Sequence, residues 1–349
     1  MKVIIPTGYM GSGSSAITDL ASEYSECSNL HKSYEYVFLH CPNGLFDLED
    51  KLLTGNNALR SDEALRSFEN QMERLYRSKL WWVGNYKNII GDEFIKLTRQ
   101  FIESIEQFHF KGYWYTHEEI DCKMFFKLIA RKPIKKLFPK LQLQKVLRYN
   151  DGMRISFIDE ESFYDAAKTY IRGVFKAVTE DADNVIMDQL VLPFNLHRID
   201  NYFDDYAKVV VVQRDPRDVF FINKYVWVNK GCQIPVPTDV YQFCDFYEKM
   251  RKSEKKTYSE KVLRINFEDL IYKYNETVKK FEDFIGFTDN DHERKFSRFN
   301  PELSIRNTQV FRNDNFIKEN MIIEGKLTEY LYDFPKNMDN NISNTIEFE

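Results

Sequence analysis

No apolar run in this 349-residue chain approaches the ~18 residues that a membrane-spanning helix requires. The first residues, one Lys, three apolar side chains and then Pro6, lack the apolar core of a secretory leader. Together these absences predict a cytoplasmic location. Cysteine is scarce: Cys27, Cys41, Cys122, Cys232 and Cys244 are odd in number, scattered, and contain no C-x-x-C pair. That pattern predicts neither a zinc site nor a disulfide framework, and no metal site is expected elsewhere. The remaining composition, 43% hydrophobic and 30% charged, excludes collagen-like and largely disordered chains.

Acidic residues are missing from one stretch. Between Lys123 and Arg148 stand nine Lys or Arg and no Asp or Glu, although the whole chain carries a net charge of -5. A globally acidic chain with one basic block does not read as a nucleic-acid binder. The block, interleaved with Phe125, Phe126, Leu128, Ile129, Ile134, Leu137 and Phe138, reads in three ways. It is a groove for an anionic acceptor, a peripheral contact with an anionic membrane surface, or a solvated helix face with its apolar side buried.

Short β-branched runs mark strands at Val3–Ile5, Tyr36–Leu39, Val185–Met187, Val209–Val212 and Val262–Ile265. Helical spacing recurs in between: Leu65, Phe68, Met72 and Leu75 behind Ser61; Phe94, Leu97, Phe101, Ile105 and Phe108; Phe163, Ala167, Tyr170 and Val174. This alternation predicts an α/β fold, a three-layer sandwich with a central parallel sheet. One domain is expected over 1–349, with a large, mostly helical insertion at 45–180 and a frayed tail at 337–349.

Two segments point to phosphate. After the first strand, Gly8-Tyr9-Met10-Gly11-Ser12-Gly13-Ser14-Ser15 nearly spells the P-loop pattern, with Ser14 in the place of its lysine. Such a loop forms a nest of backbone N–H groups at a helix start, and Ser12, Ser14 and Ser15 add hydroxyl donors. Without the lysine that serves β- and γ-phosphates, the loop suits a smaller anion such as a single 5′-phosphate group. The second segment is the valine strand ending in Arg214-Asp215-Pro216-Arg217-Asp218. An Arg at the carboxyl end of a parallel strand is placed to grip a phosphate bidentately. Pro216 fixes the turn, and Asp218 is expected to pair with Arg217 or to cap the next helix.

These two segments, with Arg264-Ile265-Asn266-Phe267-Glu268-Asp269-Leu270 and the helix ending Phe284-Ile285-Gly286, resemble the sulfotransferase family in order and spacing. The likeness covers 1–20 and roughly 183–290. It implies a P-loop-like fold and transfer of a sulfuryl group from 3′-phosphoadenosine 5′-phosphosulfate (PAPS) to a hydroxyl acceptor. Gly8, Gly11, Ser12, Gly13, Ser14 and Ser15 would hold the 5′-phosphosulfate and Arg214 the 3′-phosphate. Asn223, Arg306 and Asn307 would assist. Three positions depart from the family pattern: Phe267 stands where a Tyr is usual, Gly11 where a Lys or Arg is usual, and Ile222, beside Asn223, where a Ser is usual.

Transfer to a hydroxyl also needs a base. His40, Asp188 and His197 each follow an expected strand and are the candidates; His has a suitable intrinsic pKa, and Asp needs its pKa raised. The transfer requires no metal in principle. Aromatics at Trp81, Trp82, Tyr86 and Tyr113–Tyr115, with the basic block, suggest a carbohydrate acceptor, a polysaccharide or glycolipid. The rival readings are a nucleotide or small-molecule kinase, and a non-catalytic nucleotide- or glycan-binding protein of the same fold.

Overall fold

The computed structural model describes residues 2–25, 27–28, 34–80, 83–112, 122–140, 151–179, 184–231, 234 and 236–335. Trp81, Trp82, the aromatics at 113–115, residues 141–148 of the basic block and the tail lie outside them. Contacts divide the chain into two compact units, Met1–Val37 with Thr179–Glu349, and Phe38–Val178. In chain order the first unit opens with β1 (Lys2–Gly8), α1 (Ser15–Ala21) and β2 (Cys27–Ser28). The second contains α2 (Leu45–Leu53), α3 (Ala58–Arg77), β3 (Lys79–Leu80), β4 (Val83–Gly84), α4 (Glu93–Ile105), β5 (Phe108–Gly112), α5 (Cys122–Leu137), β6 (Asp151–Ile155) and α6 (Glu160–Thr179). The chain then returns through β7 (Asn184–Ile186), β8 (Ala207–Gln213), α7 (Pro216–Phe221), α8 (Val240–Ser253), β9 (Val262–Asn266), α9 (Tyr274–Ile285) and α10 (Ile317–Lys326).

The first unit is built on a five-stranded sheet in the order β2-β7-β1-β8-β9, with every pairing parallel. Alternating side chains of β1 and β8 are buried on both faces: Ile4, Val210 and Val212 on one, Val3, Ile5, Val209 and Val211 on the other. This double burial explains the unbroken valine run, because a parallel strand covered on both sides has no polar face. Ile17, Leu20 and Tyr24 after β1, and Val278, Phe281 and Ile285 of α9, pack against Ile4, Ile186, Val210 and Ile265. Each fully buried aliphatic side chain contributes about 1.5–3 kcal/mol. The chain thus has the expected α/β class, with a central parallel sheet flanked by helices.

The stretch Tyr36–Leu39 is not a strand. Tyr36, Phe38 and Leu39 are buried as expected. However, the carbonyls of Phe38 and Leu39 accept from the N–H groups of Leu45 and Phe46 at 3.1 and 2.9 Å, which folds the chain into a turn before α2. The strand beside β7 is instead the short β2.

In the second unit, Leu65, Phe68, Met72, Phe94, Phe101, Phe163 and Tyr170 are all buried; the Phe101 and Tyr170 rings stack at 5.1 Å. Tyr86, a sugar-stacking candidate, is fully buried against Phe38 and Phe94, so its role here is core. Ser61 does not begin α3. Asn57 caps that helix by accepting from Arg60 N at 3.0 Å, while Ser61 Oγ donates to the Ser156 carbonyl at 2.9 Å. The unit also carries a two-stranded antiparallel ladder that helical spacing did not suggest. Helix α4 stops at Ile105; Arg154 Nε reaches Glu106 at 2.6 Å. The chain then enters β5, antiparallel to β6, leaving Phe108 exposed. On α5, Phe125, Phe126 and Ile129 are exposed, Phe126 by 69%. The described part of that face is therefore not an apolar side turned into a core.

Candidate functional site

The carboxyl ends of β1, β7, β8 and β9 lie on one edge of the sheet, and the predicted phosphate segments meet there. Gly11 and Gly13 have φ of 75° and 81°, the left-handed region in which a Cβ is costly. Space enforces the same choice. A Cβ on Gly8 would stand 2.7 Å from the Val212 carbonyl of β8, one on Gly11 2.8 Å from Asn223 Nδ2, and one on Gly13 2.9 Å from the Phe267 ring. The turn is thus clamped by three separate elements.

Arg214 provides the main link. Its Nη1 donates to the Gly11 carbonyl at 3.2 Å, its Nη2 donates to the Asn307 carbonyl, and its guanidinium lies 4.6 Å from the centre of the Phe267 ring. Arg214 is buried, and burial lowers its pKa against the opposing fields of Asp218, Glu268 and Asp215. Its Nε is buried without a hydrogen-bond partner among the described residues.

The rest of the Arg-Asp-Pro-Arg-Asp segment braces this arrangement. Asp215, rather than Asp218, both caps α7 and holds Arg217: it accepts from Arg217 N and Nε at 2.9 Å and from Nη2 at 2.7 Å. Asp218 instead accepts from the N–H groups of Gln309 and Val310 at 2.8 and 2.7 Å, which pins the turn carrying Asn307. Burial pushes its carboxyl pKa up, with Asp215 adding and Arg214 opposing. Glu268 accepts from Asp215 N at 2.9 Å. Burial pushes the Glu268 carboxyl up to about 8.

The predicted site residues divide accordingly. Ser12 is buried (2% exposed), with its Oγ unpartnered among the described residues. Ser14 Oγ accepts from Gln189 Nε2 at 2.9 Å, and Ser15 is exposed. Asn223 is buried beside Gly11, its Nδ2 donating to the Val219 carbonyl at 2.8 Å. Asn307 meets Arg214 through its backbone. Arg306 is exposed.

Of the base candidates, Asp188 lies two residues past the end of β7. It accepts from Thr18 Oγ1 at 3.0 Å, and its Oδ1 is buried without a hydrogen-bond partner among the described residues. Burial pushes its carboxyl up to about 7, the Thr18 hydrogen bond opposing and Glu35 adding. His197 lies in the 3-10 segment Pro193–Arg198, its Nε2 3.4 Å from Lys255 Nζ. His40 belongs to the second unit and lies in a turn, so the strand end that was to bring it to the sheet edge is not formed.

Sequence reasoning missed two residues. Gln189 has φ of 56°; its Oε1 accepts from Thr7 Oγ1 at 3.1 Å while its amide reaches Ser14. A polar residue three positions past a strand was the available signal. Phe267, seen only as a Tyr replacement, supports both Gly13 and Arg214. Among the described residues no group of three His, Cys, Asp or Glu is arranged to hold a metal ion, and no helix is long and apolar enough to cross a membrane.

No protein-family model matches the chain, and no curated protein matches it. Among solved structures, the chain is similar to a sulfotransferase domain from the curacin biosynthetic pathway, at 11% identity and a TM-score of 0.38, over 96% of this chain and 98% of that one. It is also similar to a sulfotransferase domain from the Synechococcus PCC 7002 olefin synthase, at 11% identity and a TM-score of 0.37, over 95% of this chain and 94% of that one.

Proposed function

We propose that the first unit binds PAPS and transfers its sulfuryl group to a hydroxyl acceptor, with a carbohydrate as the acceptor class. The observation that carries this reading is the 3.2 Å hydrogen bond from Arg214 to Gly11. It joins two anion-directed segments, distant in the chain, at the edge of a parallel sheet where ligands collect. The fit to a bis-phosphorylated nucleotide rests on groups held ready: two loop glycines with positive φ, and buried Ser12 Oγ and Arg214 Nε, each without a hydrogen-bond partner among the described residues.

When bound, PAPS supplies a sulfuryl group already joined to a good leaving group, a phosphate. The chain's own residues perform the rest. The loop N–H groups and Ser14 meet negative charge on the leaving phosphate. Gln189 fixes Ser14, and Phe267 and Asn223 keep the glycine turn in one conformation. Asp188 takes the acceptor proton; a carboxyl with a pKa near 7 is half-ionised at neutral pH and a competent base.

The carbohydrate assignment rests on the aromatic and cationic content of 81–148. The exposed Phe125, Phe126 and Ile129, alongside exposed Lys135 and Lys136, support an anionic membrane surface as the place where α5 rests.

The test is transfer of label from ³⁵S-PAPS to extracts fractionated into glycans, lipids and peptides, with wild type and Asp188→Asn. Label in the glycan fraction, reduced ~100-fold or more in the variant, is expected. Tight binding of adenosine 3′,5′-bisphosphate without transfer to any fraction would refute catalysis and favour a non-catalytic binding protein.

A further inference from the structure

Two cavities, of 360 and 510 Å³, open beside the site at the carboxyl ends of β8 and β9. Gln213, Arg251 and Tyr330 line both. Arg251, on α8, stands where the cavities meet. Its guanidinium carbon lies 4.1 Å from the centre of the Tyr9 ring and 4.9 Å from that of Tyr330, and its Nη1 donates to Tyr247 Oη at 3.1 Å. No carboxylate pairs with it among the described residues. It is thus a cation held by aromatic faces and one phenol, with most of its fork of donors uncommitted.

The other charges around the cavities are largely committed. Arg214 donates to two backbone carbonyls. Lys273 pairs with Asp269 at 3.1 Å, Arg264 with Glu254, and Lys252 with Glu248. The acids are spent likewise. Asp269 also accepts from Asn266 Nδ2 at 2.9 Å and from Tyr332 Oη at 2.8 Å, and Glu254 also accepts from Tyr9 Oη. Glu329 and Asp333 are exposed at the rim. Glu254 therefore fastens Tyr9, a residue of the phosphate loop, to the wall that presents Arg251. An arginine whose planar face rests on aromatic rings keeps its edge for a planar or tetrahedral oxyanion.

We propose that Arg251 is an oxyanion receptor that grips a phosphate or sulfate monoester entering these cavities. The monoester has two possible sources: the 3′-phosphate of the donor nucleotide, which rests on the function proposed above, or an anionic group on the acceptor. In the first case Arg251 takes the role for which the family pattern uses the Ser replaced here by Ile222, since the Asn223 amide is turned to Val219.

Calorimetry on the full chain tests this with three probes: adenosine 3′,5′-bisphosphate, adenosine 5′-phosphate and inorganic phosphate. Wild type is compared with Arg251→Ala, with Arg251→Lys (which keeps the charge without the fork), and with Lys252→Gln as a control for lost charge. A ~10–100-fold loss for the bisphosphate in Arg251→Ala, with 5′-phosphate affinity within about twofold, assigns the cavity to the 3′-phosphate. Unchanged nucleotide affinities with saturable inorganic phosphate binding lost in Arg251→Ala assign it to the acceptor. Should Arg251→Ala fail to fold, Arg251→Lys is expected to show the same pattern at smaller amplitude. If wild type binds neither nucleotide, the donor reading fails and inorganic phosphate alone decides the receptor. Equal affinities for every probe in wild type and both Arg251 variants, or an equal loss in Lys252→Gln, overturn the proposal.

Discussion

Arg214→Ala tests the joint on which the site depends. The change removes two part-buried hydrogen bonds from a charged donor to the backbone carbonyls of Gly11 and Asn307, each worth about 1.5–3 kcal/mol. It also removes contact with the Phe267 ring at 4.6 Å, about 0.5–2 kcal/mol. Two effects act in the other direction. Burial already costs the guanidinium free energy, as its lowered pKa records, and the elevated carboxyls of Asp218 and Glu268 can take up protons once the cation is gone. Breaking a buried charged arrangement by deleting one member typically costs about 3–5 kcal/mol. After those offsets, ~2–4 kcal/mol is expected for the ligand-free protein. In a unit of roughly 200 residues, that lowers Tm by about 5–15 °C. Arg214→Lys keeps the charge but reaches only one carbonyl, so about half the loss is expected. Differential scanning calorimetry without ligand measures this, and titration with adenosine 3′,5′-bisphosphate should show affinity reduced ~10–150-fold. A ligand-free Tm for Arg214→Ala within about 2 °C of wild type would refute the claim that this side chain holds the loop and the Asn307 turn together.

Three further outcomes follow from the same geometry. Gly11→Ala should destabilise the protein by ~1–3 kcal/mol, from left-handed backbone plus collision with Asn223, and Asn223→Ala in the same chain should restore part of it; strict additivity in chemical denaturation would count against the contact. Glu268, with its pKa pushed up to about 8, favours its protonated form when folded. Its contribution is therefore full below the ordinary carboxylate range near 4.5 and lost as pH rises through 8. Glu268→Gln should flatten the fall in Tm over that window, Asp188 retaining a smaller slope of the same sign, and parallel profiles for wild type and variant would contradict it. The full chain should sediment with vesicles rich in phosphatidylserine and not with phosphatidylcholine vesicles, and Phe125→Ser with Phe126→Ser should weaken that several-fold; equal sedimentation with both lipids would remove the membrane reading.

The inner strands of the sheet were legible because they are buried on both faces. Val262–Ile265, at the sheet's edge with Arg264 exposed and Ile265 buried, was legible from its β-branched residues alone; Val209–Val212 cannot sit half in water, and Val3–Ile5 carries the same signature of burial. Tyr36–Leu39 carries it too, yet is a buried turn: burial is what the residue types encode, and hydrogen-bond pairing is decided by what lies alongside. Phe108 shows the converse. It continues the helical spacing of Phe101 and Ile105, but Arg154, far along the chain, engages Glu106 and pairing with β6 wins. The glycine loop and Arg214 were legible for a different reason, since both are local patterns whose chemistry is carried by residue type alone. Gln189, Phe267 and Arg251 were not, because each owes its place to a contact with a segment remote in sequence.

The departure at Gly11 shows how such contacts change a reading. From residue type alone, a glycine in the slot where a cation is usual reads as a missing catalytic charge. In the folded chain a side chain there has nowhere to go: φ is 75°, and a Cβ would lie 2.8 Å from the Asn223 amide. The Gly11 carbonyl is meanwhile the acceptor for Arg214. Positive charge therefore reaches the loop from the strand opposite rather than from the loop itself, carried on a buried guanidinium backed by Phe267. A cation held that way cannot swing with the turn, so the loop and the Arg214 segment move as one body or not at all. This coupling predicts that loosening either one, by Gly11→Ala or by Arg214→Lys, raises hydrogen exchange in both segments together. Exchange that rises only at the substituted segment would show that the two are neighbours without being mechanically joined.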